Sequence, residues 1–265
     1  YATMNDDVPT VPLIIAHDAG GSVATVEPVI RSVVGRRTVL AFDLPGAGES
    51  EDTLGKANLE IDHYAEVIRT ILNTFGLTQV DFFGQRGGGF VGLDLALKDK
   101  SLVRRLIMAS LSHHDGDDLQ KMEDNAAPDL SPQWHGGHLL QAWHQTRDQV
   151  LYYPWFDRTR AHVVKREPQL DVNTLHTRTC ALLKAGDSYR AAVLAQARYR
   201  TYEKLAQTPV PTVIGTTKWD PNNAQTEEAA KKVTSPHCRL RYLDEDFGKW
   251  GESFLDVLED ADRKG

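Results

Sequence analysis

The stretch from Val80 to Phe90 reads VDFFGQRGGGF and has the pattern of a sharp turn between a strand and a helix. A short apolar strand runs into a turn flanked by glycines, and a helix pattern follows. Glycines are needed there because the turn brings backbone segments too close for a Cβ and strains its central residue. In the G-x-S-x-G form of this motif the central residue is a nucleophilic serine. Here it is Arg86, whose guanidinium stays protonated and cannot attack a carbonyl.

Around this motif, strand and helix patterns alternate through the first 110 residues. Such alternation predicts an α/β fold, with a parallel sheet covered by helices on both faces. A helix capped by Asp62 is predicted to end at Gly76. The other predicted strands span residues 11–16, 37–43, 102–111, 210–215 and 239–243. The other predicted helices span residues 25–34, 225–233 and 252–262.

Residues 113–205 follow a different pattern. Aromatic, histidine and charged residues are dense there, and no strand alternation is clear. We therefore predict a mostly helical cap at 113–205, inserted into a core formed by residues 1–112 and 206–265. The sequence contains no internal repeat or low-complexity segment.

The bulk composition limits the classes of partner. The chain of 265 residues is 41% hydrophobic and 25% charged, with a formal net charge of −7. An acidic chain disfavours nucleic acid or an anionic membrane as a partner, since both need a basic surface. Cys180 and Cys238 lie far apart and are expected to be free thiols. No secretory signal or membrane-spanning run is evident, so we expect a cytoplasmic protein; the oligomeric state is left open.

Four segments carry a family resemblance. They are HDAGGS at 17–22, DLPGAGES at 43–50, GQRGG at 84–88 and PVPTVIGTTKWDP at 209–221. In order and spacing they resemble the α/β-hydrolases of the lidded esterase, C–C hydrolase and haloalkane dehalogenase type. The resemblance implies an α/β-hydrolase fold, with a mostly parallel, doubly covered sheet and an inserted helical cap. It also implies a substrate pocket where core and cap meet, at the carboxyl ends of the strands.

The resemblance breaks down at the catalytic positions. Arg86 holds the nucleophile position, whereas Asp220 keeps the acid position after strand 210–215. The base should be a histidine after the last strand, yet residues 244–251 (DEDFGKWG) contain none. Lys249 is the nearest match to that position. The fold suggests a hydrolase, while these residues argue against Ser–His–acid chemistry.

What remains at the pocket floor suggests anion binding. The family's oxyanion hole maps onto the amide of Gly87 and an amide of the 17–19 turn, where Ala19 is a candidate. Together with Arg86 they would bind a carboxylate, an enolate or a phosphate. Alternatively, Arg86 and Lys249 pair internally with Asp220 and Asp18, because a buried arginine needs a partner.

Two further candidates begin the oxyanion turn. His17 either transfers a proton, for which its usual pKa is suited, or only braces the turn by hydrogen bonding. Asp18 stands where a glycine is usual, and either acts as a base or pairs with Arg86. We predict Arg86, His17, Asp220, Asp18 and Lys249 as catalytic residues.

The remaining candidates line the pocket or its rim. His113 and His114 either contribute to a metal site or form a polar hinge, and adjacent side chains cannot easily share one ion. The cap aromatics either line the pocket or form the cap's own core. No metal or cofactor is predicted. The predicted substrate-binding residues are Ala19, Gly87, His113, His114, Trp143, Trp155 and Trp219.

Three functions remain open. The first is a cofactor-free enzyme in which Arg86 and backbone amides stabilise an anion or enolate of a small carbonyl or carboxylate substrate. Lyase, decarboxylase, isomerase or C–C bond chemistry would fit such a site. The second is a ligand-binding pseudoenzyme without turnover. The third is a hydrolase that activates water directly. Fold alone does not decide among them.

Overall fold

The computed structural model describes residues 2–3, 10–53 and 59–262. Its strands are β1 (Ala2–Thr3), β2 (Leu13–Ala16), β3 (Val39–Ala41), β4 (Val80–Gln85), β5 (Val103–Ala109), β6 (Thr212–Thr216) and β7 (Cys238–Tyr242). Its α-helices are α1 (Val23–Val33), α2 (Ile61–Thr74), α3 (Gly87–Lys98), α4 (Gly116–Asn125), α5 (Gly137–Leu151), α6 (Val172–Ala197), α7 (Thr201–Ala206), α8 (Asn223–Lys232) and α9 (Trp250–Asp262).

The strands form one sheet in the order β1-β3-β2-β4-β5-β6-β7. Strands β2 to β7 are parallel to their neighbours, and β1 pairs antiparallel with β3 at the edge. Sequential βα units with their crossovers produce this arrangement. The predicted parallel α/β sheet is confirmed.

Both faces of the sheet are buried. Successive residues of β4 serve opposite faces, since Phe82 joins the hydrophobic cluster that contains Ile68 of α2, and Phe83 joins the cluster that contains Phe254 of α9. Phe83 and Phe254 stack with ring centroids 5.0 Å apart. Strands covered on both faces carry apolar residues on both, which explains the adjacent Phe82 and Phe83.

Most predicted elements are confirmed with shifted ends. The strand predicted for residues 37–43 is reduced to Val39–Ala41. Helix α2 has Glu60 at its N-cap position, so the predicted cap at Asp62 is corrected. Asp62 lies in the first turn and pairs with Lys98, with 2.7 Å between Oδ1 and Nζ. Gly76 follows α2 with φ 68°, the left-handed conformation expected where a helix ends.

Helices α4 to α7 lie between β5 and β6, in the segment that the sequence predicts as a cap. Their own small core contains Ala127, Leu130, Ala142, Leu182 and Tyr189. Helix α6 is bent at Gly186, whose φ of 50° is not helical. The division into a core and a separate cap stays a prediction.

Two glycines allow the turn after β4. A Cβ on Gly84 would lie 2.2 Å from the carbonyl carbon of Gly88, and a Cβ on Gly88 would lie 2.5 Å from the carbonyl oxygen of Ala16. Both contacts are with backbone, which cannot move aside as a side chain can. The first turn of α3 therefore packs directly on the ends of β2 and β4.

None of the helices in the described ranges is long and apolar enough to cross a membrane. Both cysteines lie in the described part of the chain and are free thiols, as predicted.

Candidate active site

Arg86 occupies the turn between β4 and α3 in a strained conformation. Its φ of 47° and ψ of −114° are unusual for a residue with a side chain. The turn is held by the backbone, since the Arg86 amide donates to the Ala109 carbonyl (2.8 Å) and its carbonyl accepts from the Gly89 amide (2.8 Å). Such strain costs about 1–3 kcal/mol and is concentrated at functional sites. The turn thus directs the guanidinium towards the carboxyl ends of the strands.

The Asp18 carboxylate is held by two backbone amides. Its Oδ1 accepts from the amide of Ala19 (2.8 Å) and from the amide of Gly87 (3.2 Å). These are the two amides that the sequence predicts as the oxyanion hole. Its Oδ2 lies 3.5 Å from Nη1 of Arg86. Asp18 therefore uses the backbone donors and at the same time provides a counter-charge for Arg86.

The pair between Arg86 and Asp18 is loose. A charge-assisted N–H···O contact normally measures about 2.7–2.9 Å, which is shorter than this one. The Arg86 side chain is 26% exposed, and its guanidinium carbon lies 5.7 Å from the ring centre of Tyr153. Burial opposes the positive charge, but the charges of Asp18 and Asp220 outweigh it and raise the pKa of Arg86. The guanidinium stays charged and keeps donors available to the pocket.

Ser110 connects Arg86 to Asp220. The Ser110 hydroxyl donates to Oδ1 of Asp220 (2.9 Å) and accepts from Nε of Arg86 (3.3 Å). Nδ2 of Asn222 also donates to this hydroxyl, at 3.1 Å. Ser110 follows β5 with a φ of 63°, so it too is a strained residue. Ser110 was not predicted from the sequence, although a residue at the carboxyl end of a parallel strand is a candidate for a ligand site.

The strain at Ser110 is testable with a matched pair of variants. We expect Ser110→Gly to be more stable than Ser110→Ala by about 1 kcal/mol, because both lose the hydroxyl but only alanine resists a positive φ. The free energy of unfolding in urea measures this difference. Equal stability of the two variants would show that the backbone at residue 110 stores no strain.

His17 is sealed under the oxyanion turn. It is 1% exposed. Its Nδ1 bonds the Asp18 carbonyl (2.7 Å), and its Nε2 accepts from the Leu44 amide (2.9 Å). Burial lowers the pKa of His17, which keeps the imidazole neutral. With both nitrogens engaged, His17 has the bracing role, and the geometry does not support the alternative of a proton carrier.

A cavity of about 190 Å³ lies above Arg86. Most of its polar lining comes from the carboxyl ends of the strands and from Arg166 and Arg178, and its apolar lining comes from α4, α6, the segment after α5 and the loop after β7. Of the predicted residues, the lining includes Arg86, Asp18, Asp220, Ala19, His114 and Trp155. Trp155 also donates from Nε1 to the carbonyl of Ala126 (3.2 Å).

Six predicted residues do not line this cavity: His17 and Gly87, which lie at the turn described above, and the four that follow. His113 stacks on Tyr202 with ring centroids 4.1 Å apart. Trp143 is half-buried on α5, and Trp219 is 51% exposed on an outer groove. Lys249 is exposed in a short 3-10 helix, and that loop presents Phe247 and Trp250 to the cavity instead. This corrects the placement of Lys249, because the turn geometry directs it to solvent.

Arg166 and Arg178 also line the cavity. Neither has an ion pair or hydrogen bond within the described part of the chain. Loss of water around the guanidinium, followed by the positive charges of Arg86 and Arg166, lowers the pKa of Arg178. No signal in the sequence distinguished these two arginines from solvated surface residues.

The carboxylates of the cavity are already engaged. Asp220 accepts from Ser110 and from the amide of Asn222 (2.7 Å), and Glu245 accepts from the amide of Lys218 (3.0 Å). Positive donors therefore remain for a ligand, while the negative groups are satisfied by the protein. Among the described residues, no group of three His, Cys, Asp or Glu is placed to hold a metal ion.

Residues 11–204 match the model of a family described as the alpha/beta hydrolase fold. The chain belongs to this family. Relatives include a protein named as a carbamate hydrolase, RutD, of Stutzerimonas stutzeri, 30% identical over 107 residues. Another is a 3-hydroxybutyrate-oligomer hydrolase of Cupriavidus necator, 28% identical over 96 residues. These matches cover 40% and 36% of this chain, and only 39% and 33% of the relatives.

Solved α/β-hydrolase structures share the fold over nearly the whole chain. An esterase from Thermogutta terrifontis superposes with a TM-score of 0.70 at 16% identity, covering 99% of this chain and 93% of the esterase. A hydrolase from Oleispira antarctica superposes with a TM-score of 0.71 at 13% identity, covering 100% and 94%. Identities this low establish the fold and leave the reaction to be argued from the site.

Proposed function

We propose that this protein binds a small carbonyl compound bearing a carboxylate and acts on it without a covalent intermediate. The reaction would be of the lyase, decarboxylase or isomerase type, in which an enolate forms and is reprotonated. The observation that carries the proposal is that Oδ1 of Asp18, beside Arg86, accepts hydrogen bonds from the amides of Ala19 and Gly87, the two predicted oxyanion-hole donors.

Covalent acyl transfer needs a nucleophile and vacant donors for the oxyanion. At the turn after β4 the nucleophile position holds a guanidinium, and the amides of Ala19 and Gly87 already donate to Asp18. A tetrahedral intermediate would have to displace that carboxylate. Chemistry that needs only charge stabilisation and proton transfer does not meet this obstacle.

The arginine side chains of the cavity favour an anionic ligand. Arg86 holds Asp18 only at 3.5 Å, and Arg166 and Arg178 line the same cavity without a protein partner among the described residues. A guanidinium binds a carboxylate through two parallel hydrogen bonds. A substrate carboxylate therefore satisfies donors that the protein leaves unpaired.

Replacing Arg86 with alanine tests this binding role. We expect the affinity for pyruvate, acetoacetate or oxaloacetate, measured by titration calorimetry, to fall about 10- to 100-fold, since a hydrogen bond to a charged group contributes about 1.5–3 kcal/mol. Arg86→Lys keeps the positive charge but cannot form two parallel hydrogen bonds, so its affinity should lie between those of the native protein and Arg86→Ala. Arg198→Ala is the matched control, because Arg198 pairs with Glu123 away from the cavity. Unchanged affinity in Arg86→Ala would overturn the proposal.

Direct hydrolysis by activated water is a second candidate, favoured by the relatives named as carbamate hydrolases. A carbamate carries a carboxylate-like group that the arginines would hold. Release of an amine from added carbamates, with no enolisation of oxo acids, would support direct hydrolysis.

A pseudoenzyme is favoured by the internal pairing of Arg86, Asp18, Ser110 and Asp220. Ligand binding without any turnover would select that alternative.

A further inference from the structure

His114 forms a dyad with a carboxylate at the edge of the cavity. It lies in the loop between β5 and α4, and its Nδ1 is 2.6 Å from Oδ2 of Asp118 in the first turn of α4. The His114 side chain is 6% exposed, whereas that of Asp118 is 55% exposed. The carboxylate therefore faces solvent on the outer side, and the imidazole lies on the cavity side.

The other imidazole nitrogen of His114 is free for a ligand. Its Nε2 makes no hydrogen bond to any residue that the structure describes. All ten histidines of the chain lie in the described ranges, and His114 alone lines this cavity. His17 is sealed by two hydrogen bonds, and His113 is turned away onto Tyr202.

We propose that His114 is the general base and acid of this site, and that Asp118 is its positioning residue. This assignment rests on the proposed function. A carboxylate at Nδ1 fixes the tautomer with its proton on that side, so that the lone pair of Nε2 is directed away from Asp118. It also stabilises the imidazolium that forms when Nε2 takes a proton.

The step is balanced within the site. Nε2 of His114 takes a proton from the carbon next to the substrate carbonyl. The electron pair of that C–H bond becomes the carbon–carbon double bond of the enolate, and the negative charge moves onto the carbonyl oxygen. The arginines of the cavity stabilise this charge. The imidazolium then returns its proton to carbon, so no oxidant or further reactant is needed.

Asp18 is less suited to this step. Its Oδ1 accepts two backbone amides, and its Oδ2 faces Arg86. Taking a proton would break the pairing that holds the oxyanion turn to Arg86. His114 accepts a proton with no loss of a protein contact, because Nδ1 keeps Asp118.

The test is exchange of the carbon-bound protons of pyruvate, acetoacetate and oxaloacetate in heavy water, followed by NMR. Calorimetric binding of the same acids is measured in parallel. We expect His114→Gln to slow the catalysed exchange at least about 100-fold while binding changes little. Asp118→Asn should lower kcat about 10-fold or more with little change in KM, and Asp118→Glu should restore most of it. His113→Gln is the matched neighbour outside the cavity and should exchange as the native protein does.

The outcomes separate this inference from the proposed function. If His114→Gln binds and exchanges as the native protein does, the dyad assignment is overturned while Arg86 binding stands. Binding by the native protein with no catalysed exchange also overturns the dyad and leaves a ligand-binding protein. If the native protein binds none of the three acids, the proposed function itself fails, and the dyad fails with it.

Discussion

Replacing Asp18 with alanine is expected to destabilise the protein by about 1.5–3 kcal/mol and to open an anion site in its place. The change removes the acceptor of two backbone amides and the counter-charge of Arg86. Three donors around one point would then be left without their partner. They would form the anion site that the sequence alone predicts at this turn.

The two effects are measured together by urea unfolding with and without excess acetate. A ligand that binds only the folded state raises the free energy of unfolding. We expect acetate to stabilise Asp18→Ala more than it stabilises the native protein, because the small anion takes the vacated place. Asp18→Asn is the matched control, since its amide oxygen still accepts from Ala19 and Gly87. An Asp18→Ala protein that is as stable as the native one and gains no more from acetate would contradict the geometry.

The second large effect lies at the opposite end of β4. Asp81 is fully buried and bonds Nη2 of Arg37 (2.8 Å) as well as Nε (2.9 Å) and Nη2 (2.6 Å) of Arg104. Arg37 is also fully buried and donates to the carbonyl of Val11 (2.9 Å). We expect Asp81→Asn to lower the free energy of unfolding by about 3–5 kcal/mol, because it breaks a fully buried ion pair by removing the charge of the carboxylate.

Urea unfolding also measures this loss. Arg104→Gln is the matched control and should cost clearly less, since its side chain is 18% exposed and the Arg37–Asp81 pair remains. Carboxylate binding should stay unchanged in folded Asp81→Asn, because Asp81 and the cavity lie at opposite ends of the strand. A loss below about 1 kcal/mol would contradict this reading, since that is the size of an ordinary substitution.

The turn at Gly84–Gly88 could be predicted because its causes are local. A strand of β-branched and aromatic residues, glycines where no Cβ fits and a following helix are properties of neighbouring residues. The alternation of strand and helix patterns is also a local property, and it predicts the parallel sheet. Asp220 could also be predicted, because the family resemblance places an acid after β6.

The side chains around Arg86 could not be assigned in this way. Asp18 is 68 positions from Arg86, and no periodicity shows that its carboxylate occupies the oxyanion hole. His113 and His114 are adjacent and chemically identical, yet one stacks on Tyr202 and the other lines the cavity. Lys249 follows the last strand as the base would, and its turn exposes it to solvent.

The amino-acid sequence specifies the parallel sheet, the strained turn after β4 and the arginine displayed on it. It determined these because local backbone sterics and hydrophobic patterning depend on residues close together in the chain. The tertiary structure alone decided which groups meet that arginine. The carboxyl ends of β2 and β5 bring Asp18 and Ser110 to Arg86 from distant parts of the chain, and the loop after β5 places His114 on the same cavity.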